Sequence, residues 1–250
     1  MTETTDTAWY ESSFGRDYLR IYAHRDAAEA RAAVEALLAR VDLPPGARVL
    51  DLCCGFGRHL ATLLEHDLNA YGLDLSAPLL AHAAENPALR GRILRGDMRA
   101  LPFRDGVFDA VFSFFSSFGY FTDDRENARV IAEAARLLRP GGTLTMDFLN
   151  ADLLRRTLVP HDERQLDELN LTQRRWIDTI TNSVEKELIV RDASGERHYR
   201  ESVKLYGLPD FQRFFAAAGL TLTATLGTPT GEPHRPDSPR LVMIARKPAG

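Results

Sequence analysis

Glycines and aspartates recur where buried strands of this chain are predicted to end. The apolar run 48–54 (RVLDLCC) is followed directly by Gly55 and Gly57, and two later strand-like runs end in Asp74 and Asp97. Glycines let a backbone approach a ligand closely, and a carboxylate at the end of the second strand can accept both hydroxyls of a ribose. The spacing therefore predicts a nucleoside-like ligand at one edge of a parallel sheet.

The glycine loop departs from two better-known nucleotide motifs. A dinucleotide fingerprint requires a third small residue three positions after Gly57, where this chain has Leu60. A phosphate-binding loop requires Gly-Lys-Ser or Gly-Lys-Thr, which does not follow. The missing third small residue disfavours a nicotinamide-dependent oxidoreductase. The alternative that involves no ligand is that the glycines form a plain tight turn.

Alternating strand and helix patterns must position these residues. Helical periodicity covers residues 25–41 and 124–139, and Ser76 with Pro78 in the following turn marks another helix start. The strand-like runs between the helices are RVLDLCC, NAYGLDL, RILRGD, FDAVFSFF and TLTMDFL. This order predicts an α/β protein with a doubly wound, mostly parallel sheet.

Beyond Asn150 the pattern changes. A polar stretch, 160–175, leads into two β-rich runs, 176–192 and 196–206, which predict an antiparallel hairpin or a small added sheet. A helix and two final strands follow, with the sequences PDFQRFFAAAG, TLTATLG and RLVMIARK. The hairpin is therefore expected to be an insertion into the α/β sheet.

Composition narrows the classes of protein. The 250 residues are 44% hydrophobic and 26% charged, as in a domain with a sizeable core, and the net charge of -4 disfavours a nucleic-acid partner. No stretch approaches the roughly 20 apolar residues of a membrane helix, and the first residues lack the order of a signal peptide, so we expect a cytoplasmic protein. Cys53 and Cys54 are adjacent, which disfavours a disulfide.

In chain order, these motifs resemble those of the class I S-adenosylmethionine-dependent methyltransferases of the small-molecule type. The matching pieces are the glycine motif at 51–57, Asp74, Gly96-Asp97-Met98 with Leu101-Pro102-Phe103, FDAVFS and LLRPGG. The resemblance covers residues 45–150 strongly and 205–247 moderately. It implies a Rossmann-like sheet, mostly parallel with an antiparallel last strand, plus a small β-rich insertion. Cys53 departs from the glycine that is usual in the family, so we expect a slightly shifted loop with binding retained.

The resemblance also implies a division of the chain. Residues 1–44 would form an N-terminal helical cap, and residues 45–150 the cofactor-binding α/β core. Residues 151–204 would be an antiparallel β insertion that serves as a lid or a dimer contact. Residues 205–250 would complete the α/β core.

S-adenosyl-L-methionine is the cofactor that the resemblance implies, with S-adenosyl-L-homocysteine as product and no metal. Asp51, Gly55 and Gly57 would shape the pocket around its methionine moiety, while Asp74 would hold the ribose. Asp97 with Met98 would hold the adenine. The other residues of the implied cofactor site are Tyr18, Arg25, Cys53, Arg58, Leu75 and Phe114. Tyr18 and Tyr22, spaced i and i+4, could equally bury one helical face.

The predicted reaction is an in-line methyl transfer to a small-molecule acceptor. Because the leaving group is already activated, the protein mainly has to align the reactants and exclude water. Tyr120 is the predicted catalytic residue, as a group that orients or deprotonates the acceptor, and packing is the alternative role. Ser117, Tyr206 and His234 are predicted to contact the acceptor with it.

Other functions fit the same motifs. A tRNA or rRNA methyltransferase could use Arg155-Arg156 and Arg174-Arg175 for phosphate contacts, although the net charge argues against it. A protein that binds S-adenosylmethionine without transferring a methyl group would retain the same pocket. The sequence leaves open the acceptor atom and whether the protein is a monomer or a homodimer.

Overall fold

The computed structural model describes residues 8–22 and 27–249. The helices of this part are α1 (Trp9–Ser13), α2 (Arg16–Ile21), α3 (Ala27–Leu38), α4 (Arg58–Glu65), α5 (Ala77–Ala83), α6 (Asp124–Leu137), α7 (Ala151–Thr157) and α8 (Leu208–Ala217). The strands are β1 (Arg48–Leu52), β2 (Asn69–Asp74), β3 (Ile93–Arg95), β4 (Phe108–Ser113), β5 (Leu138–Leu149), β6 (His161–Leu166), β7 (Leu169–Asp178), β8 (Ser183–Asp192), β9 (Gly195–Lys204), β10 (Thr221–Leu226) and β11 (Arg240–Arg246). None of these helices is long and apolar enough to cross a membrane.

The main sheet has seven strands in the order β10-β11-β5-β4-β1-β2-β3. The pairs among β3, β2, β1, β4 and β5 are parallel, while β11 is antiparallel to both of its neighbours. This arrangement confirms the predicted fold class. The strand order reverses between β1 and β4, and in such sheets ligands bind beyond the carboxyl ends of the strands at this point.

Helices cover both faces of the main sheet, which explains the unbroken apolar runs of its central strands. In β4, Phe112 packs into a cluster with Leu37 of α3 and Leu60 of α4. The neighbouring Val111 points to the other face and joins a cluster with Phe211 of α8. Burying each such side chain contributes about 1.5 to 3 kcal/mol. Because both faces of the sheet are buried at β4, its sequence does not alternate between apolar and polar residues.

The second sheet is larger than the sequence predicts. It has four antiparallel strands in the order β6-β7-β8-β9, so the structure confirms a small added sheet, with two strands more than a single hairpin. The polar stretch 160–175 forms β6 and most of β7, and a turn at 179–182 divides the first β-rich run. Because β6 is an edge strand with no fully buried residue, its sequence lacks the apolar alternation that would predict it.

The elements that flank β5 also differ from the prediction. Helix α6 ends at Leu137 rather than at residue 139, and Pro140-Gly141-Gly142 lies inside β5. The pairing of β4 with β5 shifts register at this point, so the extra residues bulge out of the ladder. After β5, the Asn150 side chain accepts two backbone N–H bonds and starts α7, a helix that the sequence analysis does not predict.

Candidate active site

A cleft lies beyond the carboxyl ends of β1, β2, β3 and β4, at the switch point of the sheet. It contains about 910 Å³ of empty space, part of which is open to solvent. The strand ends form its floor, and aromatic side chains of α1 and α2 form its roof. Its mixed polar and aromatic lining is typical of a small-molecule site.

The turn between β1 and α4 brings backbone close to the cleft. Cys53, Gly55 and Arg58 line the cleft. Cys53 and Gly55 have left-handed φ angles of 63° and 55°. Gly57 lies behind the turn, where a Cβ atom would come 2.4 Å from Leu89, so it shapes the turn without lining the cleft. Cys53 adopts the conformation that a glycine would take more easily.

Asp74, at the end of β2, holds the glycine turn in place. Its Oδ2 accepts the Gly55 backbone N–H at 2.8 Å, and its Oδ1 accepts the Ser76 N–H at 2.8 Å. The side chain lines the cleft next to Leu75, and burial raises its pKa above the ordinary value. A carboxylate oxygen can accept more than one hydrogen bond, so both oxygens remain able to accept hydroxyl groups of a ligand.

Asp51 lies beneath the cleft and does not line it. The residue is 1% exposed, and its Oδ2 is buried with no hydrogen-bond partner in the described part of the chain. Burial, and then the nearby charge of Asp74, raise the pKa of Asp51 to about 8. A buried polar atom without a partner is unusual in a folded protein. The raised pKa favours the neutral carboxyl, which costs less to bury than a carboxylate.

Asp97 and Met98 line the cleft after β3. Burial raises the pKa of Asp97, but hydrogen bonds from Arg99 outweigh it and hold the pKa below the ordinary value. Arg99 Nη2 donates to Asp97 Oδ2 at 2.6 Å and Arg99 Nη1 to Glu126 at 2.6 Å. Arg99 therefore fixes an ionised acceptor at the edge of the cleft.

The segment after β4 supplies Phe114, Ser117 and Tyr120 to the cleft. The ring of Phe114 stacks on His59 with centroids 4.2 Å apart. Burial lowers the pKa of His59 to about 3, so this ring is neutral and packs rather than accepting a proton. Burial raises the pKa of Tyr120 well above its ordinary range, so its hydroxyl stays protonated at neutral pH.

A strained turn directs this segment. Phe115 and Ser116 are consecutive residues with left-handed φ angles of 58° and 59°. The Phe115 N–H donates to Asp147 Oδ2 at 3.0 Å, and Arg240 Nε donates to Asp147 Oδ1 at 2.8 Å. Residues hold such conformations only where surrounding contacts impose them. Asp147, which is 4% exposed, supplies those contacts.

The roof of the cleft consists of Tyr10, Phe14 and Tyr18. Phe14 lies 5.3 Å from Tyr18 and 5.8 Å from Tyr120, centroid to centroid. The sequence analysis predicts Tyr18 but misses Tyr10 and Phe14. The aromatic residues at 10, 14, 18 and 22 recur every four positions, and this period is the signal that could have found them.

The second sheet holds the roof helices. Asp17 of α2, 7% exposed, accepts hydrogen bonds from Tyr199 Oη at 2.7 Å and Arg197 Nε at 2.5 Å. At the other end of the helix, Lys186 Nζ donates to Tyr22 Oη at 3.1 Å. The β-rich insertion therefore contributes to the site through α2.

Besides Asp51 and Gly57, two predicted residues of the described part of the chain do not line the cleft, and both were expected to contact the acceptor. Tyr206 is 3% exposed in the core, where its hydroxyl donates to Asp124 at 2.6 Å and accepts from Asn127 at 3.0 Å, so the prediction that it contacts the acceptor is not supported. His234 lies in the loop before β11 and does not line the cleft. Arg25 falls outside the described residues.

Comparisons with known proteins identify the family. A family model of the methyltransferase domain matches residues 49–142. A dTDP-3-amino-3,4,6-trideoxy-alpha-D-glucopyranose N,N-dimethyltransferase from Streptomyces venezuelae is 30% identical over 210 residues, which cover 78% of this chain and 84% of that protein. The chain belongs to the S-adenosylmethionine-dependent methyltransferases. The predicted family and enzyme class are thereby confirmed.

Solved structures of other methyltransferases share the fold. S-adenosylmethionine-bound CalS10, an amino pentose methyltransferase from Micromonospora echinaspora, has a TM-score of 0.68 at 25% identity, with 93% of this chain and 97% of that chain covered. A methyltransferase from Clostridium acetobutylicum has a TM-score of 0.79 at 17% identity, with 93% and 98% covered, and shows the fold alone.

The residues of the cleft fit the cofactor of the methyltransferase family. Asp74 presents carboxylate oxygens suited to a ribose, and Asp97 presents an ionised acceptor suited to the amino group of an adenine. Aromatic rings enclose the opposite side. Within residues 8–22 and 27–249, no group of three or more His, Cys, Asp or Glu side chains could hold a metal ion.

Proposed function

We propose that this methyltransferase methylates the amino group of an amino sugar, and that the residues named above form its cofactor site. The observation that carries the substrate class is the extent of the similarity to the Streptomyces venezuelae sugar N,N-dimethyltransferase. That similarity spans 210 residues, whereas the match to the methyltransferase domain ends at residue 142. It therefore extends into the parts of the chain outside the shared cofactor-binding domain.

The chemistry of the cleft supports a nitrogen acceptor. Among the residues that line it, His59 has a pKa lowered to about 3 and Tyr120 one raised well above its ordinary range, so neither is suited to take a proton near neutral pH. The two carboxylates of the lining are already bound, Asp97 by Arg99 and Asp74 by two backbone N–H groups. A hydroxyl acceptor needs a general base, because its own pKa is far above neutrality. An amine can lose its proton to water and then attack unaided. The lining thus favours an amine over a hydroxyl.

Positioning is the role of this chain's residues in the reaction. When bound, S-adenosylmethionine supplies a methyl group on a sulfonium, which is already activated for displacement. The Asp74 carboxylate would bind the ribose, and the roof rings of Tyr10, Phe14 and Tyr18 would exclude water. The Tyr120 hydroxyl, kept protonated by burial, would orient the amine for in-line attack.

A substrate panel tests the proposal. The purified protein is incubated with S-adenosylmethionine and, in parallel, a nucleotide-linked amino sugar, its hydroxyl analogue and bulk tRNA. We expect mass spectrometry to show one or two added methyl groups on the amino sugar only. Methylation of the hydroxyl analogue but not the amine would refute the nitrogen assignment, and methylation of tRNA would instead support an RNA methyltransferase.

A further inference from the structure

A second cleft adjoins the donor cleft and has no role in the site described so far. It lies between α1, residues 119–122 and the ends of β8 and β9. It contains about 1440 Å³ of empty space, part of which is open to solvent. Tyr10, Tyr120 and Phe121 line both clefts. A ligand in the second cleft would therefore reach the donor cleft past these three rings.

Hydroxyl groups on a buried carboxylate form the floor of the second cleft. Glu185 is 3% exposed, and its Oε1 accepts from Ser183 Oγ at 2.7 Å and from Ser202 Oγ at 2.6 Å. Arg200 Nη2 donates to Oε2 at 3.2 Å. A buried carboxylate is tolerated only when it is paired in this way. The network fixes serine hydroxyls, which can exchange hydrogen bonds with a polyol, in the floor.

An aromatic wall faces these hydroxyls. The rings of Trp9 and Tyr120 meet edge to face with centroids 4.9 Å apart, and Trp9 Nε1 donates to the Tyr120 carbonyl at 3.3 Å. Aromatic faces pack against the C–H face of a sugar ring, while hydroxyls and carboxylates bind its rim. Both kinds of group line this cleft.

The charges in the second cleft disfavour a phosphate group. Its acidic residues are Glu126, Asp178 and Glu185, against the basic residues Arg200 and Lys204 and the single His198. Both basic residues are engaged: Arg200 binds Glu185, while Lys204 Nζ donates to the Thr181 carbonyl at 2.9 Å and lies 3.5 Å from Asp124. With its cations neutralised, the cleft suits an uncharged or cationic polar ligand.

We propose that the second cleft binds the polyhydroxylated ring of the methyl acceptor, with Trp9 stacked at its wall and Tyr120 between the ring and the methyl donor. The identity of the ligand as an acceptor rests on the proposed function. A phosphate-bearing part of the acceptor would lie outside this cleft.

Trp9 provides a direct reporter of binding, because Trp176 is the other of the chain's two tryptophans. The experiment uses the W176F protein saturated with S-adenosylhomocysteine. It titrates this protein with 3-amino-3-deoxy-D-glucose, and then adds thymidine diphosphate to the sugar complex. We expect the sugar to change Trp9 fluorescence saturably. We expect thymidine diphosphate not to displace the sugar. Absence of a saturable sugar response, or displacement by thymidine diphosphate, would overturn the proposal.

A pair of exposed threonines gives matched variants. Thr122 lines the second cleft but not the donor cleft, whereas Thr221 is exposed on β10. Thr122→Phe should raise the apparent Kd for the sugar by at least about tenfold, and Thr221→Phe should change it by less than about twofold. Calorimetry with S-adenosylhomocysteine checks that both variants fold and retain the donor cleft. Equal sugar affinities in the two variants would count against the second cleft.

Turnover separates this inference from the proposed function. Methyl transfer to an amino sugar without any Trp9 response retains the proposed function and rejects the second cleft as the acceptor site. A Trp9 response that is lost in Thr122→Phe, without transfer to any amine, retains the sugar-binding cleft and rejects the proposed function.

Discussion

Replacing Asp74 with alanine tests whether its carboxylate binds the ribose of the cofactor. Hydrogen bonds to a charged acceptor are worth on the order of 1.5 to 3 kcal/mol in net stability. Losing this interaction should weaken S-adenosylhomocysteine binding by roughly 10- to 150-fold, since every 1.4 kcal/mol is about tenfold. Titration calorimetry measures the change directly. Asp237→Ala, which removes an exposed carboxylate from the loop before β11, is the control and should leave the affinity unchanged.

The same carboxylate also holds the turn, so a loss of affinity alone does not establish ribose binding. In Asp74→Ala the N–H groups of Gly55 and Ser76 lose their acceptor, and the turn can shift. A cycle with the 2′,3′-dideoxy analogue of S-adenosylhomocysteine separates the two effects. If the carboxylate binds the ribose, the variant should bind both ligands with nearly equal affinity, because the wild type alone distinguishes them. An equal loss for both ligands would refute the ribose assignment and leave only the structural role.

Three further predictions concern stability. The pKa of Asp51 is raised to about 8, so the folded state favours the protonated carboxyl, and the free energy of unfolding should fall as the pH rises from about 4 to about 8. Urea denaturation across that range measures the fall, and Asp51→Asn should abolish it. Cys53→Gly should stabilise the protein by about 1 kcal/mol in thermal unfolding, since it relieves a left-handed φ of 63°. Cys54→Gly, which removes a buried side chain, should destabilise the protein. Asp17→Asn should cost about 1 to 3 kcal/mol by weakening the contact with Arg197. Because hydrogen bonds hold the pKa of Asp17 below its ordinary value despite burial, this contribution is present above pH about 4 and is lost at lower pH; a wild-type-minus-variant difference that did not shrink on acidification would contradict it.

The main sheet could be predicted because its physics is local to each segment. Strands covered on both faces are short apolar runs, and the turn residues between them are glycines and capping polar residues such as Ser76, whose Oγ accepts the Leu79 N–H as expected. The second sheet does not share this property. β6 pairs along one edge and buries none of its residues fully, so its sequence carries charge rather than alternation. What defines β6 is backbone pairing with β7, which no composition signal records.

The floor of the donor cleft was predictable for the same reason. Parallel strands end at one edge, so residues that follow β1, β2 and β3 in the sequence must meet there. The roof depends instead on where α1 and α2 dock. Their position is set by distant partners, such as Arg197 for Asp17 and the Phe14 carbonyl for Ser76 Oγ, which donates to it at 2.6 Å. Sequence spacing can show that the aromatic residues share a face, but not what that face covers.

For two tyrosines, the sequence alone could not distinguish a role in packing from a role at the acceptor. Tyr120 and Tyr206 both follow strands, and both were expected at the acceptor. Burial raises the pKa of each, but the hydroxyl of Tyr206 is bound by Asp124 and Asn127 in the core, whereas Tyr120 lines both clefts. A buried tyrosine hydroxyl requires a partner, and the identity of that partner decides between packing and function. For Tyr206 the partner is Asp124, 82 residues away along the chain, so only the folded structure assigns the role.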